Sequence, residues 1–190
     1  QRRNGDHADV LHQHDADAGE DHREGQRELH RHQPLPIRHP HPHSGIVGGG
    51  RVLEGANAIA GEWGHNPLPL PSGDDLPLRR CYCGRSGCIE TYLCGAALER
   101  EGGAASDVAI ARYEERLARA LAGVINLLDP DVIVLGGGVS NIDRLYADVP
   151  ALWRLHVFSD HVATRLEKHL HGDSSGVRGA AWLWGGPPAR

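Results

Sequence analysis

Apolar side chains recur at helical spacing in one long segment of the chain. From Tyr113 to Leu128 they stand three or four positions apart, which predicts an amphipathic helix with its apolar face in a core. Ser106 is the predicted N-cap, and Asp129-Pro130 ends the pattern because proline cannot continue a helix. The other face of this helix carries charged side chains, namely Arg112, Glu115, Arg116 and Arg119.

Shorter patterns predict further elements on either side of that helix. They are a β-hairpin over residues 46–53 around Gly48-Gly49-Gly50, a connecting loop over 57–65, a helix over 88–100 and a helix over about 141–155. Residues 171–176 then lead into a capped C-terminal helix over 177–184.

The segment after the long helix combines a strand pattern with a glycine turn. Residues 132–135 are a continuous apolar run, typical of a strand buried on both faces, and Gly136, Gly137 and Gly138 follow directly. A strand, a glycine turn and a helix form a geometry in which backbone N–H groups approach a nucleotide. A triple glycine at this place is about as often only a tight turn, so Gly136, Gly137 and Gly138 are candidates for nucleotide binding.

The composition changes abruptly near residue 44. Residues 1–43 hold nine of the fourteen histidines and show no sustained apolar period, so we expect this segment to be disordered or of aberrant origin. Binding of a metal by its histidines is a minor alternative. Residues 44–190 are the predicted folded domain.

Charge and hydropathy exclude several classes of function. The net charge is −5 with Lys168 as the single lysine, so no basic surface for nucleic acid is expected. No apolar run approaches the roughly 20 residues that span a membrane, and no signal peptide is recognisable. We expect a cytoplasmic, reducing location, which suits free thiols.

One imidazole and three thiols fall within residues 65–88. His65, Cys81, Cys83 and Cys88 form a donor set that fills all four tetrahedral positions of Zn²⁺, so the sequence predicts a closed, structural zinc knuckle. Gly84 and Gly87 allow the turns that bring the thiols to one side. The alternatives are unrelated thiols, a disulfide or a packing histidine, while Cys94 is interpreted as a small buried hydrophobe.

Four motifs together give the chain a resemblance to a known family. They are Gly-Ala-Asn-Ala-Ile-Ala-Gly-Glu-Trp-Gly-His at 55–65, Cys-x-Cys-Gly-x-x-Gly-Cys-x-Glu at 81–90, Asp-Pro-Asp-Val-Ile-Val-Leu-Gly-Gly-Gly at 129–138 and Gly-Asp-Ser-Ser-Gly-Val-Arg-Gly-Ala-Ala at 172–181. With these motifs the chain resembles the ROK family of sugar kinases and related repressors. The sequence around these motifs is most similar to the bacterial fructokinase (mannokinase) branch of the family.

The resemblance implies a fold and a set of binding residues. The fold would be α/β, the second lobe of an actin-like (ribonuclease H-like) ATPase with a zinc-binding loop. Glu62, His65 and Glu90 would bind the sugar hydroxyls, with His65 also on the zinc. The expected partners are a hexose and a nucleotide, with ATP and Mg²⁺ as the phosphate donor complex.

The first lobe of the family is not recognisable in residues 1–43. Its phosphate loop and the aspartate that acts as general base are missing there, so no residue of this chain is assigned as catalytic. We interpret the chain as derived from a fructokinase-type hexose kinase with a missing or frame-disrupted N-terminal lobe, and expect it to be inactive as given. The alternatives are a sugar-responsive repressor, a glucokinase or N-acetylglucosamine kinase relative, or a structural fragment. A homodimer would bury the face that a single lobe exposes.

Overall fold

The computed structural model describes residues 44–172. The expectations for residues 1–43 and for the helix beyond residue 172 lie outside this range. Within it the helices are α1 (Gly95–Arg100), α2 (Asp107–Leu128) and α3 (Leu145–Trp153), and the strands are β1 (Val47–Gly48), β2 (Arg51–Val52), β3 (Val132–Leu135) and β4 (Arg165–Lys168). None of the helices in this range is long and apolar enough to cross a membrane.

Helix α2 is the central element and follows its sequence prediction closely. The Ala109 N–H donates to the Ser106 side-chain oxygen at 3.3 Å, which confirms the N-cap. At the other end Asp129 takes a left-handed conformation with a φ of 43°, and its N–H donates to the Ile125 carbonyl. The apolar face of α2 packs against α3, with Leu145, Val149 and Trp153 fully buried.

A β-α-β unit lies beside α2. Strands β3 and β4 pair in parallel, with Val132 opposite Arg165 and Leu135 opposite Lys168, and α3 lies between them in sequence. Parallel strands need such a crossover connection. Strand β4 carries no continuous apolar run and was not predicted, although Leu166 belongs to the buried core.

The prediction that β3 is buried on both faces is wrong. Ile133 and Leu135 pack against the core, whereas Val132 and Val134 are 39% and 58% exposed. Among residues 44–172 the parallel sheet has only these two strands, so no described element covers the second face. An apolar run cannot by itself distinguish a strand with two buried faces from one with an uncovered face.

Two predicted helices differ in their bounds. The single helix expected over 88–100 is a 3₁₀ turn at Ile89–Thr91 followed by α1, because the backbone at Cys94, with φ −124° and ψ 162°, is extended and interrupts the helix. Cys94 precedes α1 in an extended conformation and is half-buried. The helix expected from about 141 begins at Leu145, after a 3₁₀ turn at Gly138–Asn141.

The predicted hairpin is present. Strands β1 and β2 pair antiparallel with Val47 opposite Val52, and the turn uses Gly49 and Gly50 at φ angles of 57° and 74°. These conformations favour glycine because a Cβ is strained there. The segment after the hairpin is a loop through residue 65, as expected.

Candidate metal and sugar site

The knuckle loop, residues 65–90, is folded by its own backbone hydrogen bonds. The Cys81 N–H donates to the Arg85 carbonyl at 2.8 Å, and the Gly84 N–H returns to the Cys81 carbonyl at 3.1 Å. Gly84 and Gly87 have φ angles of 88° and 80°, the left-handed conformation that the sequence required of them. The loop therefore brings thiols from both sides of one tight turn to the same side.

The four predicted zinc ligands lie together. The donor atoms of His65, Cys81, Cys83 and Cys88 are all within 4.8 Å of one another. The Cys83 and Cys88 sulfurs are 3.6 Å apart, and the Cys81 sulfur is 3.6 Å from His65 Nδ1. A Zn–S bond of about 2.3 Å implies tetrahedron edges of about 3.8 Å between sulfurs. The donor chemistry and spacing fit a zinc ion.

The pKa values of two thiols in this cluster shift in opposite directions. Burial, followed by the hydrogen bond from its sulfur to Glu90, raises the pKa of the Cys81 thiol to about 12. The Arg85 backbone N–H and guanidinium lower the pKa of Cys83 to about 6, because they stabilise its thiolate. One sulfur of the set is therefore prepared as an anion, the form in which cysteine binds a metal.

Two of the three predicted sugar-binding residues stand directly on this cluster. Glu90 Oε1 is 3.4 Å from His65 Nδ1 and accepts from the Cys81 sulfur at 3.0 Å. The opposite ring nitrogen of His65, Nε2, is 3.0 Å from the hydroxyl of Tyr82. His65 therefore has one nitrogen toward the thiols and the other toward the open side of the site.

Glu62, the third predicted sugar-binding residue, precedes His65 by three positions in the same loop. Its N–H donates to the Ile59 carbonyl at 3.0 Å, in a series of turns that leads to His65. Burial raises the pKa of Tyr82, and the negative charges of Glu90 and Glu62 are among the further causes of the rise. Both carboxylates therefore act on the phenol that faces His65 Nε2.

The three glycines after β3 stand apart from the knuckle in the chain, at the carboxyl end of the parallel strand pair. Among residues 44–172, no atom lies within 4 Å of a Cβ built on Gly136, Gly137 or Gly138, so their backbone is open to this part of the chain. Gly137 has a φ of 79°, and its carbonyl accepts from the Ser140 hydroxyl at 2.5 Å. Ligands of open α/β sheets bind at this edge.

Comparison with known proteins identifies the family of this chain. The model of the ROK family matches residues 44–186, which is most of the chain. The chain belongs to the ROK family.

Named ROK proteins resemble the chain over about half of their own length. An N-acetyl-D-glucosamine kinase of Pectobacterium carotovorum is 37% identical over 163 positions, covering 73% of this chain and 54% of that protein. The ROK hexokinase of Thermus thermophilus is 28% identical with a TM-score of 0.58, covering 74% of this chain and 53% of the hexokinase.

A second solved structure bears on the fold alone. The ROK glucokinase of Streptomyces griseus, solved with glucose and AMPPNP, has a TM-score of 0.60 at 22% identity, covering 73% of this chain and 55% of the glucokinase. The ROK neighbours agree with the prediction of an actin-like ATPase lobe. The fructokinase branch is not confirmed, since relatives at 35–37% identity are named N-acetyl-D-glucosamine kinases.

Sequence reasoning missed a buried charge network that fixes this ROK knuckle to α2. Asp75 is 3% exposed and accepts from Arg116 Nε at 2.6 Å and from Arg119 Nη2 at 2.8 Å. Glu101 accepts from Arg116 Nη1 at 2.8 Å and also pairs with Arg79. The sequence analysis assigned Arg116 and Arg119 to the charged face of α2. No local sequence signal indicates that the knuckle loop covers this face.

The network reaches the knuckle loop through Tyr92 and two carbonyls. The Tyr92 hydroxyl donates to the Asp75 carbonyl at 2.8 Å, and the Arg79 guanidinium lies 4.4 Å from the centre of the Tyr92 ring. Arg119 Nη1 donates to the carbonyls of Pro69 and Leu70. The loop is therefore held at its entry and at its exit by side chains of α2 or their partners.

Proposed function

We propose that this chain carries the zinc and sugar sites of an ATP-dependent hexose kinase, with N-acetylglucosamine as the favoured substrate. The observation that supports it most is the contact of Glu90 with His65, 3.4 Å apart, at a Cys₃His cluster. The same cluster that orients the imidazole thus lies beside a carboxylate able to accept from sugar hydroxyls.

In this proposal His65, Cys81, Cys83 and Cys88 hold a structural Zn²⁺. A closed Cys₃His site contributes folding free energy and leaves no position for substrate. With Nδ1 as the ligand, the proton of the His65 ring stands on Nε2. His65 then offers a fixed hydrogen-bond donor on the side away from the metal ligands.

Glu62 and Glu90 would supply the acceptors for the sugar. Each carboxylate accepts two hydrogen bonds from neighbouring hydroxyls, which matches the donor pattern of a hexose. The side chain of Glu90 is 24% exposed, so it is fixed by its surroundings and still reachable. The Glu90 N–H donates to the Gly64 carbonyl at 2.9 Å, which holds its backbone beside His65.

Gly136, Gly137 and Gly138 would receive the nucleotide. Their open backbone at the carboxyl end of β3 and β4 allows a close approach that side chains would block. ATP would enter as its Mg²⁺ complex, which neutralises phosphate charge during transfer. None of the described residues is assigned as the general base.

The choice of sugar follows the relatives. The motifs alone favour fructose, whereas relatives at 35–37% identity are named N-acetyl-D-glucosamine kinases. We therefore favour N-acetylglucosamine, with glucose as the nearest competitor.

Isothermal titration of the zinc-loaded 190-residue chain with N-acetylglucosamine, glucose, mannose and fructose tests the proposal. We expect N-acetylglucosamine to bind best. Glu62→Gln and Glu90→Gln should each weaken it about tenfold or more, because a hydrogen bond to a charged group contributes about 1.5–3 kcal/mol. Glu167→Gln, on the exposed face of β4, is the matched control and should bind like the parent chain. Fructose ahead of N-acetylglucosamine would restore the fructokinase assignment, and binding of none of the four sugars would contradict the proposal.

A further inference from the structure

Tyr82 lies between two of the metal ligands in sequence and points to the open side of the site. Its side chain is 82% exposed, yet its hydroxyl is 3.0 Å from His65 Nε2. The two rings meet edge to face, with centres 5.1 Å apart and planes at 76°. The solvent-exposed Tyr82 phenol is thus hydrogen-bonded to Nε2, the ring nitrogen of His65 that does not face the thiols.

The direction of this hydrogen bond follows from the other nitrogen. His65 Nδ1 faces the Cys81 sulfur at 3.6 Å. When Nδ1 binds a metal ion, the proton of the neutral ring is on Nε2. Nε2 is then the donor and the Tyr82 oxygen the acceptor. A sugar hydroxyl that binds His65 Nε2 needs the same position as that oxygen.

We propose that Tyr82 is a cap on the sugar site, whose hydroxyl occupies His65 Nε2 until a sugar hydroxyl displaces it. This rests on the proposed function, since it assigns the ligand that replaces the phenol. Glu90 Oε1 lies 3.4 Å from Nδ1 of the same imidazole, so the cap stands beside a predicted sugar-binding carboxylate.

The loop permits displacement of the side chain without movement of the backbone. The hydrogen bonds from Cys81 to Arg85 and from Gly84 to Cys81 fix the turn that carries Tyr82, and Arg80 and Ser86 form a further bridge. The Tyr82 ring is already largely exposed to solvent, so rotation about its two side-chain torsions exposes little new apolar surface. Only one exposed hydrogen bond is lost when the cap opens.

The affinity for sugar gives the first test. Tyr82→Phe keeps the ring and removes the competing oxygen, so we expect the zinc-loaded chain to bind N-acetylglucosamine about two- to tenfold more tightly, the range of one net hydrogen bond. Tyr113→Phe is the matched control, because it removes a hydroxyl bonded to the Leu93 carbonyl at 3.4 Å rather than to His65. Zinc content measured on each variant checks that the knuckle is intact.

A fluorine label reports the displacement directly. The chain has four tyrosines, so a 3-fluorotyrosine-labelled sample gives four signals, and Tyr82 is the one absent from Tyr82→Phe. We expect N-acetylglucosamine to move that signal toward the position of a free fluorotyrosine peptide. Sugar binding with an unmoved Tyr82 signal, or weaker binding by Tyr82→Phe, overturns the cap. Absence of sugar binding by both parent and variant overturns the proposed function itself, so the two failures are distinguishable.

Discussion

Asp75 shows how much a single buried carboxylate supports in this molecule. It balances Arg116 and Arg119, whose side chains are 3% and 4% exposed, and it does so from a loop 41 and 44 positions away in the sequence. Removing one partner of a buried ion pair leaves an uncompensated charge, which is more costly than losing the pair altogether.

Asp75→Asn should therefore lower the free energy of unfolding by about 3–5 kcal/mol. The neighbouring Asp74 offers a matched control, because it pairs with Arg112 at 2.7 Å but its side chain is 63% exposed. Asp74→Asn should change stability by less than about 1 kcal/mol. Urea unfolding of the two variants measures the difference, and equal losses would contradict a special role for Asp75.

The metal ligands give a second prediction for single residues. We expect one zinc per chain in the parent protein and little or none in Cys83→Ser, because three donors hold zinc less tightly than four. Cys94→Ser should keep its zinc, since Cys94 is outside the cluster of donor atoms. Elemental analysis of the purified proteins decides the question, and loss of zinc from both variants would contradict the assigned ligand set.

For single residues, the sequence predicted the four metal ligands and did not predict the buried ion pairs of Asp75 that hold their loop. Spacing alone identified His65, Cys81, Cys83 and Cys88, because a metal site needs particular atoms close together and the loop is short. The partners of Asp75 could not be predicted in the same way, since they depend on which face of α2 the loop covers. Tyr82 was read only as part of a motif, and its contact with His65 depends on a side-chain direction.

Among elements, the knuckle loop and α2 are joined mainly through ionised groups, which makes their contact sensitive to pH. Burial by itself would raise the pKa of Asp75, but hydrogen bonds from Arg119, the Ser72 N–H and Arg116 outweigh it and hold the pKa below its ordinary value. For Glu101, burial is likewise outweighed by Arg79 and Arg116, and the pKa is lowered.

A lowered folded-state pKa stabilises the folded protein above the unfolded value and loses that contribution as the pH falls. The unfolded values are about 3.9 for aspartate and 4.3 for glutamate, so the contribution of Asp75 and Glu101 to stability should be constant from pH 7 to about 5 and fall below that. Urea unfolding in the Cys83→Ser background, where metal release makes no contribution, measures this. Adding Asp75→Asn should make the acid-induced loss smaller, and an unchanged loss would contradict the assignment.

The elements differ in how far local sequence determines them. Helix α2 was predicted with its cap and its end because the periodic pattern from Tyr113 to Leu128, the Ser106 cap and the stop at Asp129-Pro130 agree. The break before α1 was not predicted, because the extended backbone at Cys94 has no signal such as proline or glycine at that position. Strand β4 has mostly exposed positions, so its pairing with β3 had no apolar signal.

For the whole molecule, the ROK family match begins at residue 44, and the boundary of the folded domain at this residue stays a prediction. Deleting residues 1–43 should leave zinc content and urea unfolding unchanged. A deletion through residue 65 removes one ligand and should lose the metal, which makes it the comparison for the shorter deletion. Reduced stability of the 44–190 protein would show that the N-terminal segment contributes to the fold.

The attachment of the knuckle to α2 by arginines has a consequence for how the protein opens. Asp75, Arg116 and Arg119 do not depend on the thiols, so removing zinc should release the turn around residues 81–88 and leave the helix in place. Local opening of this kind appears in amide hydrogen exchange as a region that exchanges at low free energy inside a protein that stays folded. After chelation we expect fast exchange at Cys81 and Gly84 and continued slow exchange along α2. The metal would then control the order of one loop, independently of the stability of the domain that carries it.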